Sequence, residues 1–502
     1  MLGLMGRSEG GQLTRRSILR GAAAIAVGSA GPGVGWWAAP SSAGPRAGGS
    51  PAAADWRRLA GKLRGVLVRP GAHSYLAAVE TFDPRRDGAT PLAVVQVAGE
   101  ADVVRTLDFA QRFGLALRPR SGGHSYVGAS TGNGVLVLDT GGLHAVRLHP
   151  SASRVRIGAG AKLGQVHVAL DRHGRTVPTG TCPTVGAAGL TLGGGIGAET
   201  RLHGLTADAV LAIRIVTPDG RIRNVNAQDE PDLFWALRGG GGGNFGVVTQ
   251  FSMRTFRSRR AEFFFLRWSA AHAVEVLQGW QERVGHMPRS SWANVHLDAA
   301  QGTVVPRVVG VAWGASGRAE ARALIRAVGV QPVREMHASR SHSGAMQLLA
   351  GPAGTQRQSW VAGSDIITAP LSRAEVKAVV AVVRRRGRAG RPGTLIVDPI
   401  DGAVHDGSTL AASFPWRNAL ASLQWYVWIP SHPAREVVQS GRDFIHRGHT
   451  AVASASAGGY VNYVEPGRPL RQYYGSSWTK LLKINERYDP ERFFSSAFSL
   501  PN

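Results

Sequence analysis

The sequence predicts an α+β fold in two parts, because short apolar runs separated by glycines give way, near the middle of the chain, to longer strands and helices. In the first part, the apolar run 92–97 is typical of a strand, and Val103, Leu107 and Ala110 follow it at helical spacing. In the second part, runs such as 303–313 alternate with helical patterns such as 372–386. The second pattern predicts an antiparallel sheet with helices on one face.

The chain of 502 residues is long enough for two domains with complete cores, and its first 44 residues are typical of a targeting segment. Thr14-Arg-Arg-Ser-Ile-Leu-Arg20 is a twin-arginine pattern, followed by an Ala/Gly-rich stretch and by small residues at 40–43 that suit cleavage. That stretch is too short and too rich in glycine for a transmembrane helix. We therefore expect a secreted protein that uses the twin-arginine translocase and has no stable membrane insertion.

The charge balance of 58 basic to 33 acidic residues, a net charge of +25, raises the question of nucleic-acid binding. The arginines are scattered rather than arranged in a stripe, and no nucleic-acid motif is present. The tightest cluster, Arg384 to Arg386 with Arg388, ends a predicted helix, where cations suit the helix dipole. We expect no nucleic-acid partner, although a basic surface can attract acidic substrates or an anionic cell wall.

Two glycine-rich loops carry the most reactive side chains of the sequence. The first runs from Arg118 to Tyr126 and has His124 at its tip; the second, 181–186, contains Cys182, the only cysteine, so that no intrachain disulfide can form. Loops of this kind expose consecutive backbone N–H groups that can surround a pyrophosphate. The histidines at 73, 144, 149 and 167 lack metal-ligand spacing, so we expect them at the surface and predict no metal site.

A G-x-G-x-x-G pattern at 241–246 does not indicate a dinucleotide site. That fingerprint requires a strand before it and a helix after it. Here an apolar helical run, 233–237, comes first and a predicted strand, 247–253, follows. The order of the elements is reversed, and we reject a Rossmann site.

The loops and several later segments resemble the berberine-bridge-enzyme-like branch of the FAD-linked oxidases, within the vanillyl-alcohol oxidase superfamily. The similarity spans roughly residues 56–502 in the order of the family. We expect a bacterial protein that resembles members of the glucooligosaccharide oxidase type. The matching segments are 120–126, 182–186, 189–197, 232–240, 244–248, 460–463, 473–475, 488–490 and 493–494.

The resemblance implies a PCMH-type FAD-binding domain in two sub-lobes at 56–258, a substrate domain at 259–454, and a return to the FAD domain at 455–502. It implies covalent FAD, with His124 bonded to the 8α-methyl group and Cys182 bonded to C6 of the ring. The remaining cofactor-binding residues that it implies are Pro119, Arg120, Ser121, Gly122, Gly123, Ser125, Thr184, Val185, Gly186, Gly189, Gly193, Gly194, Gly195, Gly197, Gly246, Val247, Val248 and Asn462.

Oxidation of an alcohol carbon requires a base for the hydroxyl proton. By resemblance to the sugar-oxidising members, Tyr460 is the first candidate and Tyr126 a second, while Asp398 and Gln424 correspond to polar positions of the substrate pocket. If 460–463 is a strand, alternation places Tyr460 and Asn462 on one face. A phenol must lose about two pKa units to act as a base near neutral pH. Trp425 and Trp428 could stack on a sugar, but a core position is expected for both.

Together these features predict an exported oxidase with bicovalent FAD, which oxidises an alcohol carbon of a carbohydrate or other small hydroxylated substrate with O2 as acceptor. Three alternatives remain open: a tailoring oxidase of a glycosylated or polyketide metabolite, a dehydrogenase with another acceptor, and a polymer-binding protein without activity. The last predicts a damaged site, whereas His124, Cys182 and the Tyr-x-Asn-Tyr segment are present. Trp416-Arg417 replaces the His-Arg pair of many plant members, and no glutamate can be placed as base, so alkaloid ring closure is disfavoured.

Overall fold

The computed structural model describes residues 49–501 except 301, 409, 495 and 497. The twin-arginine pattern and the cleavage region lie outside the described residues. Among the helices that are described, none is both long and apolar enough to cross a membrane.

The first part of the chain forms two larger sheets with helices around them, and β7 pairs with β11 in a small two-stranded sheet. A four-stranded sheet has the order β1-β2-β4-β3, and a five-stranded antiparallel sheet has the order β5-β6-β10-β8-β9. The elements are α1 (Ala53–Lys62), β1 (Val66–Val68), α2 (Tyr75–Val79), β2 (Ala93–Gln96), α3 (Glu100–Arg112), β3 (Leu117–Arg120), β4 (Leu136–Asp139), β5 (Val146–Leu148), β6 (Arg154–Gly158), α4 (Leu163–Asp171), β7 (Arg175–Thr176), α5 (Ala187–Leu192), α6 (Thr200–His203), β8 (Val210–Val216), β9 (Ile222–Val225), α7 (Pro231–Ala236), β10 (Val247–Arg254) and β11 (Phe256–Arg257).

Each of these two sheets has its own apolar core. On α3, Val103 and Leu107 lie four residues apart, so both point to one side of the helix and pack on the four-stranded sheet beside Leu136. Val247, at the start of β10, joins that core, while its neighbour Val248 belongs to the core of the five-stranded sheet. The start of β10 therefore joins the two lobes. The helix α7 precedes the 241–246 loop and the strand β10 follows it. This helix–loop–strand order is the reverse of the strand–loop–helix order that a Rossmann site requires.

The second part forms an eight-stranded antiparallel sheet of order β15-β12-β14-β13-β17-β18-β16-β19. Its elements are β12 (Ala261–Arg267), α8 (Ala273–Val284), β13 (Ser291–Ala300), β14 (Thr303–Trp313), α9 (Gly317–Val328), β15 (Arg334–Arg340), α10 (His342–Ala350), β16 (Ser359–Ile367), α11 (Arg373–Arg388), β17 (Gly393–Pro399), β18 (Ala421–Ile429), α12 (Arg435–Ala451) and β19 (Ser456–Gly458).

The two faces of this sheet differ in composition. Residues such as Leu395, Val397, Leu423 and Trp425 point to one face and pack against α8, α9, α11 and α12 in the largest apolar core. We call this the helix-backed face. The alternate residues, among them Asp398 and Gln424, point to the other side, because successive side chains of a strand alternate. We call this the open face.

The C-terminal segment returns to the first part of the chain. After β19, which pairs with β16, the chain forms α13 (Arg471–Tyr474) and α14 (Trp478–Tyr488). Tyr473, Tyr474 and Leu481 are buried in the core of the five-stranded sheet. This return brings 460–463 between the first part and the open face. That segment is a 3₁₀ turn at Val461–Tyr463 rather than the strand expected from its sequence.

Candidate active site

The two glycine-rich loops lie in contact. A Cβ atom on Gly122 would lie 2.2 Å from the backbone nitrogen of Gly186, and one on Gly186 would lie 2.1 Å from Oγ of Ser121. Ser121 is fixed in turn, because its hydroxyl donates to the carbonyl of Ala159 at 2.6 Å. Only glycine fits at these two positions, since any side chain would separate the loops.

His124 is positioned by stacking, with its ring 3.8 Å from that of Phe82, centroid to centroid. Burial, and then the positive charge of Lys162, lowers the pKa of His124 to about 3, so the imidazole is neutral at physiological pH. Its Nε2 atom is buried and has no hydrogen-bond partner among the described residues. A buried, unpartnered ring nitrogen calls for an explanation such as a ligand or cofactor.

Cys182 lies where the second loop meets the second part of the chain. Its Sγ atom is 3.4 Å from the Thr184 hydroxyl and 3.5 Å from the carbonyl oxygen of Gly354, which also accepts from Thr184 at 3.1 Å. An electrostatic interaction with Cys182 adds to the burial that raises the pKa values of Tyr126 and Tyr463, so the sulfur lies near the tyrosines described next.

Three tyrosines of the site pack on one another. The rings of Tyr126 and Tyr463 stack at 5.2 Å, and Tyr460 meets Tyr463 edge to face at 4.9 Å. Gln424, on the open face of β18, donates from Nε2 to the hydroxyl of Tyr126 at 2.6 Å. The structure thus brings together two predicted tyrosines and the predicted substrate residue Gln424.

Tyr460 is held by two hydrogen bonds that both end on its hydroxyl oxygen. The backbone N–H of Gly195 donates at 3.0 Å and Nδ2 of Asn462 at 2.8 Å. Burial nevertheless raises the pKa of Tyr460 to about 12, against the lowering that a base near neutral pH would need. Because its oxygen already accepts twice, the hydroxyl proton is left to donate to another group.

Asp398 lies on the open face of β17, next to the tyrosines. Burial raises its pKa to about 6, although Nδ2 of Asn294 donates to its Oδ1 at 2.9 Å. Its charge contributes to the raised pKa of Tyr463, after burial and the charge of Tyr126, so the carboxyl group lies near that phenol. No described residue donates a hydrogen bond to Oδ2. At neutral pH the group is therefore a carboxylate with one oxygen free to accept a proton.

Several predicted cofactor residues are occupied by protein contacts. The guanidinium of Arg120 bonds Asp139 at 2.7 Å and the carbonyl of Val79 at 3.2 Å, and its own carbonyl accepts from Thr140, so this residue anchors β3. The side chains of Val247 and Val248 are buried in the two cores. Gly189 lies exposed on α5 with open space around it, and nothing in the structure explains that glycine.

The glycines between α5 and α6 are needed for contacts within the protein. A Cβ atom on Gly193 would lie 2.2 Å from Oδ1 of Asn462, and one on Gly195 would lie 2.2 Å from the Thr206 hydroxyl. Gly195 also has a φ of 84°, a conformation that favours glycine. A Cβ on Gly197 would meet the Thr179 carbonyl, and one on Gly246 the Val216 carbonyl. These glycines let the loop approach Tyr460 and Asn462.

An aromatic wall completes the site, and the sequence reasoning missed most of it. Trp360, on the open face of β16, lies 5.1 Å from the ring of Tyr126 and 6.0 Å from that of Tyr426. Trp428 lies 4.7 Å from Tyr426 and is 40% exposed, so the core position expected for it is wrong. The core position expected for Trp425 is confirmed, since it is fully buried on the helix-backed face. Strand alternation from Gln424 could have revealed both Tyr426 and Trp428.

Of the four histidines expected at the surface, His167 is not there. It is buried, and its Nε2 atom lies 2.5 Å from the Thr179 hydroxyl. Burial lowers its pKa to about 4, which is the behaviour of a neutral histidine of the core. Within the described residues no cluster of histidine, cysteine, aspartate or glutamate could hold a metal ion.

Comparison with known proteins agrees with this site. An FAD binding domain model matches residues 91–226, and a "Berberine and berberine like" model matches residues 459–501. An uncharacterised FAD-linked oxidoreductase of Bacillus subtilis, YgaK, is 27% identical over 82% of this chain and 91% of its own. The chitooligosaccharide oxidase of Gibberella zeae is 27% identical over 82% of this chain and 87% of its own.

Among solved structures, Physcomitrella patens BBE-like 1 superposes with a TM-score of 0.81 at 26% identity, over 89% of this chain and 99% of that one. The fold and the site thus define an FAD-linked oxidoreductase. The two family models, the relatives and the superposition confirm the resemblance to the berberine-bridge-enzyme-like FAD-linked oxidases and the fold class that the sequence motifs predict.

The residues that meet in the site fit FAD. The contact between Gly122 and Gly186 keeps the backbone of two loops free of side chains, which suits a pyrophosphate. The buried, unpartnered Nε2 of His124 and the thiol of Cys182 provide two groups that can react with a flavin ring. Gln424, Asp398 and the tyrosines supply polar groups at the same place.

Proposed function

We propose that the protein is an exported oxidase with bicovalent FAD, and that it oxidises an alcohol carbon of a sugar or of another hydroxylated substrate with O2 as electron acceptor. One observation carries the proposal. Two potential attachment residues, His124 and Cys182, lie beside a cluster in which a carboxylate, an amide and three phenols meet: His124 is linked to it through the rings of Phe82 and Trp360, and Cys182 interacts with its tyrosines.

The state of both side chains supports covalent attachment of FAD. The imidazole of His124 is neutral, and its stacking on Phe82 holds the ring while a buried nitrogen remains without a partner. Cys182 is the only cysteine and lies between two hydrogen-bonding oxygens rather than in an apolar core. A thiol that is bonded to FAD is also protected against oxidation in an oxidising compartment.

The chemistry that bound FAD supplies is acceptance of a hydride from the alcohol carbon and transfer of the two electrons to O2, which with two protons becomes hydrogen peroxide. This chain must then hold the substrate and take the hydroxyl proton. We assign the proton to Oδ2 of Asp398, because a carboxylate with a pKa of about 6 is ionised and basic enough near neutral pH.

In this assignment the tyrosines orient the substrate. Each of Tyr126 and Tyr460 accepts at least one hydrogen bond from the protein, from Gln424 in one case and from Asn462 and Gly195 in the other. Their protons are therefore available to donate to oxygen atoms of a substrate. Their raised pKa values keep both phenols neutral, which suits a donor and opposes the role of base first expected for Tyr460.

A sugar is the substrate that the site supports best. The exposed indole of Trp428 and the half-buried ring of Tyr426, which packs on the buried Trp360, offer flat surfaces on which a sugar ring can stack. A relative that is 27% identical over most of its length is a chitooligosaccharide oxidase. For export, the support is the twin-arginine pattern at 14–20.

The attachment is tested by acid precipitation of purified protein. We expect a yellow pellet from the wild type and from Cys182→Ala, with a shifted absorption spectrum in the variant. The double variant His124→Ala, Cys182→Ala should give a colourless pellet. A yellow pellet from the double variant, or an unchanged spectrum from Cys182→Ala, contradicts bicovalent attachment.

The reaction is tested by a peroxide-coupled assay over mono- and oligosaccharides, with the same yellow protein. Peroxide formation from a sugar supports both the substrate class and the acceptor. Bleaching of the flavin under argon without peroxide in air would identify a dehydrogenase. A yellow protein that no sugar bleaches would favour the tailoring oxidase, and a colourless protein that binds polymer would favour the non-catalytic alternative.

A further inference from the structure

One row of side chains crosses the open face of the eight-stranded sheet, from the tyrosines to the far edge. Strand register defines it, since each member lies directly opposite the next on the neighbouring strand. The row consists of Gln424 on β18, Ile396 on β17, His296 on β13, Arg307 on β14, Arg267 on β12 and Arg334 on β15. We call its last three members the arginine row.

The arginine row is accessible and only partly neutralised. Arg334 is exposed, Arg267 is half-buried, and the side chain of Arg307 is 25% exposed. Arg307 bonds Asp298 at 2.6 Å, whereas Arg267 and Arg334 have no acidic partner among the residues described. His296 adds no positive charge, because burial, and then the charge of Arg307, lowers its pKa to about 3.

Three arginines in register cost stability unless something binds them. Like charges directly opposite on neighbouring strands repel one another, and Arg267 has an arginine on each side. Glu335, next to Arg334 in sequence, offers no compensation, because it points to the other face and pairs with His337. This arrangement is typical of a site for anionic groups.

The position of the row connects it to the reaction. Strands lie about 5 Å apart, close to the length that one sugar residue adds to a linear oligosaccharide. Arg307 is three strands from Gln424, and Arg267 and Arg334 are four and five strands away. Beside the row, Phe265 and Met336 form an apolar strip on the same face, which suits the apolar side of a sugar ring.

We propose that the substrate is an anionic oligosaccharide, oxidised at the end that contacts Gln424 and bound by the arginine row through acid groups at least three sugar residues away. This inference rests on the proposed function and adds the substrate class. An arginine guanidinium binds a carboxylate through two parallel hydrogen bonds, so that each arginine can hold one acid group.

The test measures binding and oxidation separately, with the yellow full-length protein. Calorimetry on the dithionite-reduced protein gives Kd without turnover for three probes: pentagalacturonate, digalacturonate and neutral cellopentaose. The variant is Arg267→Gln with Arg334→Gln. The matched control is Arg322→Gln with Arg326→Gln, two exposed arginines of α9 on the opposite side of the sheet.

We expect the wild type to bind pentagalacturonate at least about tenfold more tightly than cellopentaose or digalacturonate, with a preference that weakens as salt is added. The row variant should lose this preference, and the control should keep it. Equal binding of acidic and neutral pentamers, or the same loss in the control, overturns the inference.

Oxidation of the same probes separates this inference from the proposed function. Peroxide from cellopentaose with no preference for the acidic pentamer leaves the oxidase proposal intact and overturns the acidic substrate class. Tight binding of pentagalacturonate that depends on the row, without any flavin reduction by it or by other sugars, supports the row and contradicts the oxidase.

Discussion

Two aspartates on opposite faces of the same sheet, the buried Asp365 and the half-buried Asp398, behave in opposite ways. Asp365, on the helix-backed face, accepts hydrogen bonds from His449 at 2.7 Å, Ser456 at 2.7 Å and Trp425 at 3.1 Å. Asp398, on the open face, accepts one, from Asn294. Burial acts to raise the pKa of both carboxyl groups. At Asp365 the hydrogen bond and the charge of His449 outweigh the effect of burial and hold the pKa below its usual value. At Asp398 no such interaction opposes burial strongly enough, and the pKa rises to about 6.

The difference shows how one sheet serves two purposes. On the helix-backed face the polar group has its partners within the protein, so its charge contributes to the fold. On the open face the carboxylate keeps an oxygen without a partner, at a cost in stability, and that oxygen is available to a substrate. Because successive side chains of a strand alternate, each residue of the sheet lies either on the helix-backed face, where it supports the fold, or on the open face, where it can contact a substrate.

The largest effect is expected when the helix-backed face is broken. Asp365→Asn removes one of the two carboxylates that neutralise the half-buried His449, the other being Glu465, and we expect the free energy of unfolding to fall by about 3 kcal/mol. The rate of anaerobic flavin reduction per folded molecule should stay close to that of the wild type. Denaturant unfolding and stopped-flow absorbance measure the two quantities; a stable variant with a slow flavin would contradict the division between the faces.

Asp398→Asn should give the opposite pattern. Loss of the base should slow anaerobic flavin reduction by at least about a hundredfold, or about 3 kcal/mol of barrier. Because the folded pKa of about 6 lies above that of an unfolded aspartate, ionisation of Asp398 costs stability, and this cost is fully present above pH 6.

At pH 8 the free energy of unfolding of Asp398→Asn should therefore be at least that of the wild type, and at most about 3 kcal/mol higher. This increase in stability should vanish near pH 4, where Asp398 of the wild type is protonated. A variant that is both active and less stable would assign Asp398 to the structure instead. Asp365→Asn serves as the control, since it makes the same chemical change on the other face.

A smaller effect is expected at Tyr460. Tyr460→Phe removes one donor to the substrate and leaves Asn462 and Gly195 without their acceptor, but the base remains. We expect roughly tenfold slower flavin reduction, about 1.4 kcal/mol, with the acid limb of the pH profile unchanged. Loss of that limb in stopped-flow measurements would return the role of base to Tyr460.

The parts that the sequence predicts well depend on local patterns. The glycine-rich motifs at 118–126 and 181–186 mark the two loops that carry His124 and Cys182, and the alternating runs of the second part predict the antiparallel sheet with helices on one face. Other features depend on contacts between segments distant in sequence. Phe82 stacks on His124 through tertiary packing alone, and no local signal marks it.

Two misassignments have identifiable physical causes. A core position is predicted for both Trp425 and Trp428. The two residues are three positions apart on one strand, so they lie on opposite faces of the sheet and only one of them can face the core. The segment 460–463 was expected as a strand, but hydrogen bonds to Gly195 and Leu190 hold its side chains in a 3₁₀ turn. The pairing of Asp398 with Asn294 required the register of β13 and β17, which alternation alone does not give.

The central claim, that the carboxylate of Asp398 takes the substrate proton, is tested most directly by the pH dependence of anaerobic flavin reduction in the wild type. With a pKa of about 6, Asp398 is a base above that pH and is protonated below it. The account predicts a constant rate from pH 7 to 9 and a tenfold loss per pH unit well below 6. A rate that is independent of pH down to 5, or one that rises only toward pH 12 as Tyr460 ionises, would contradict it.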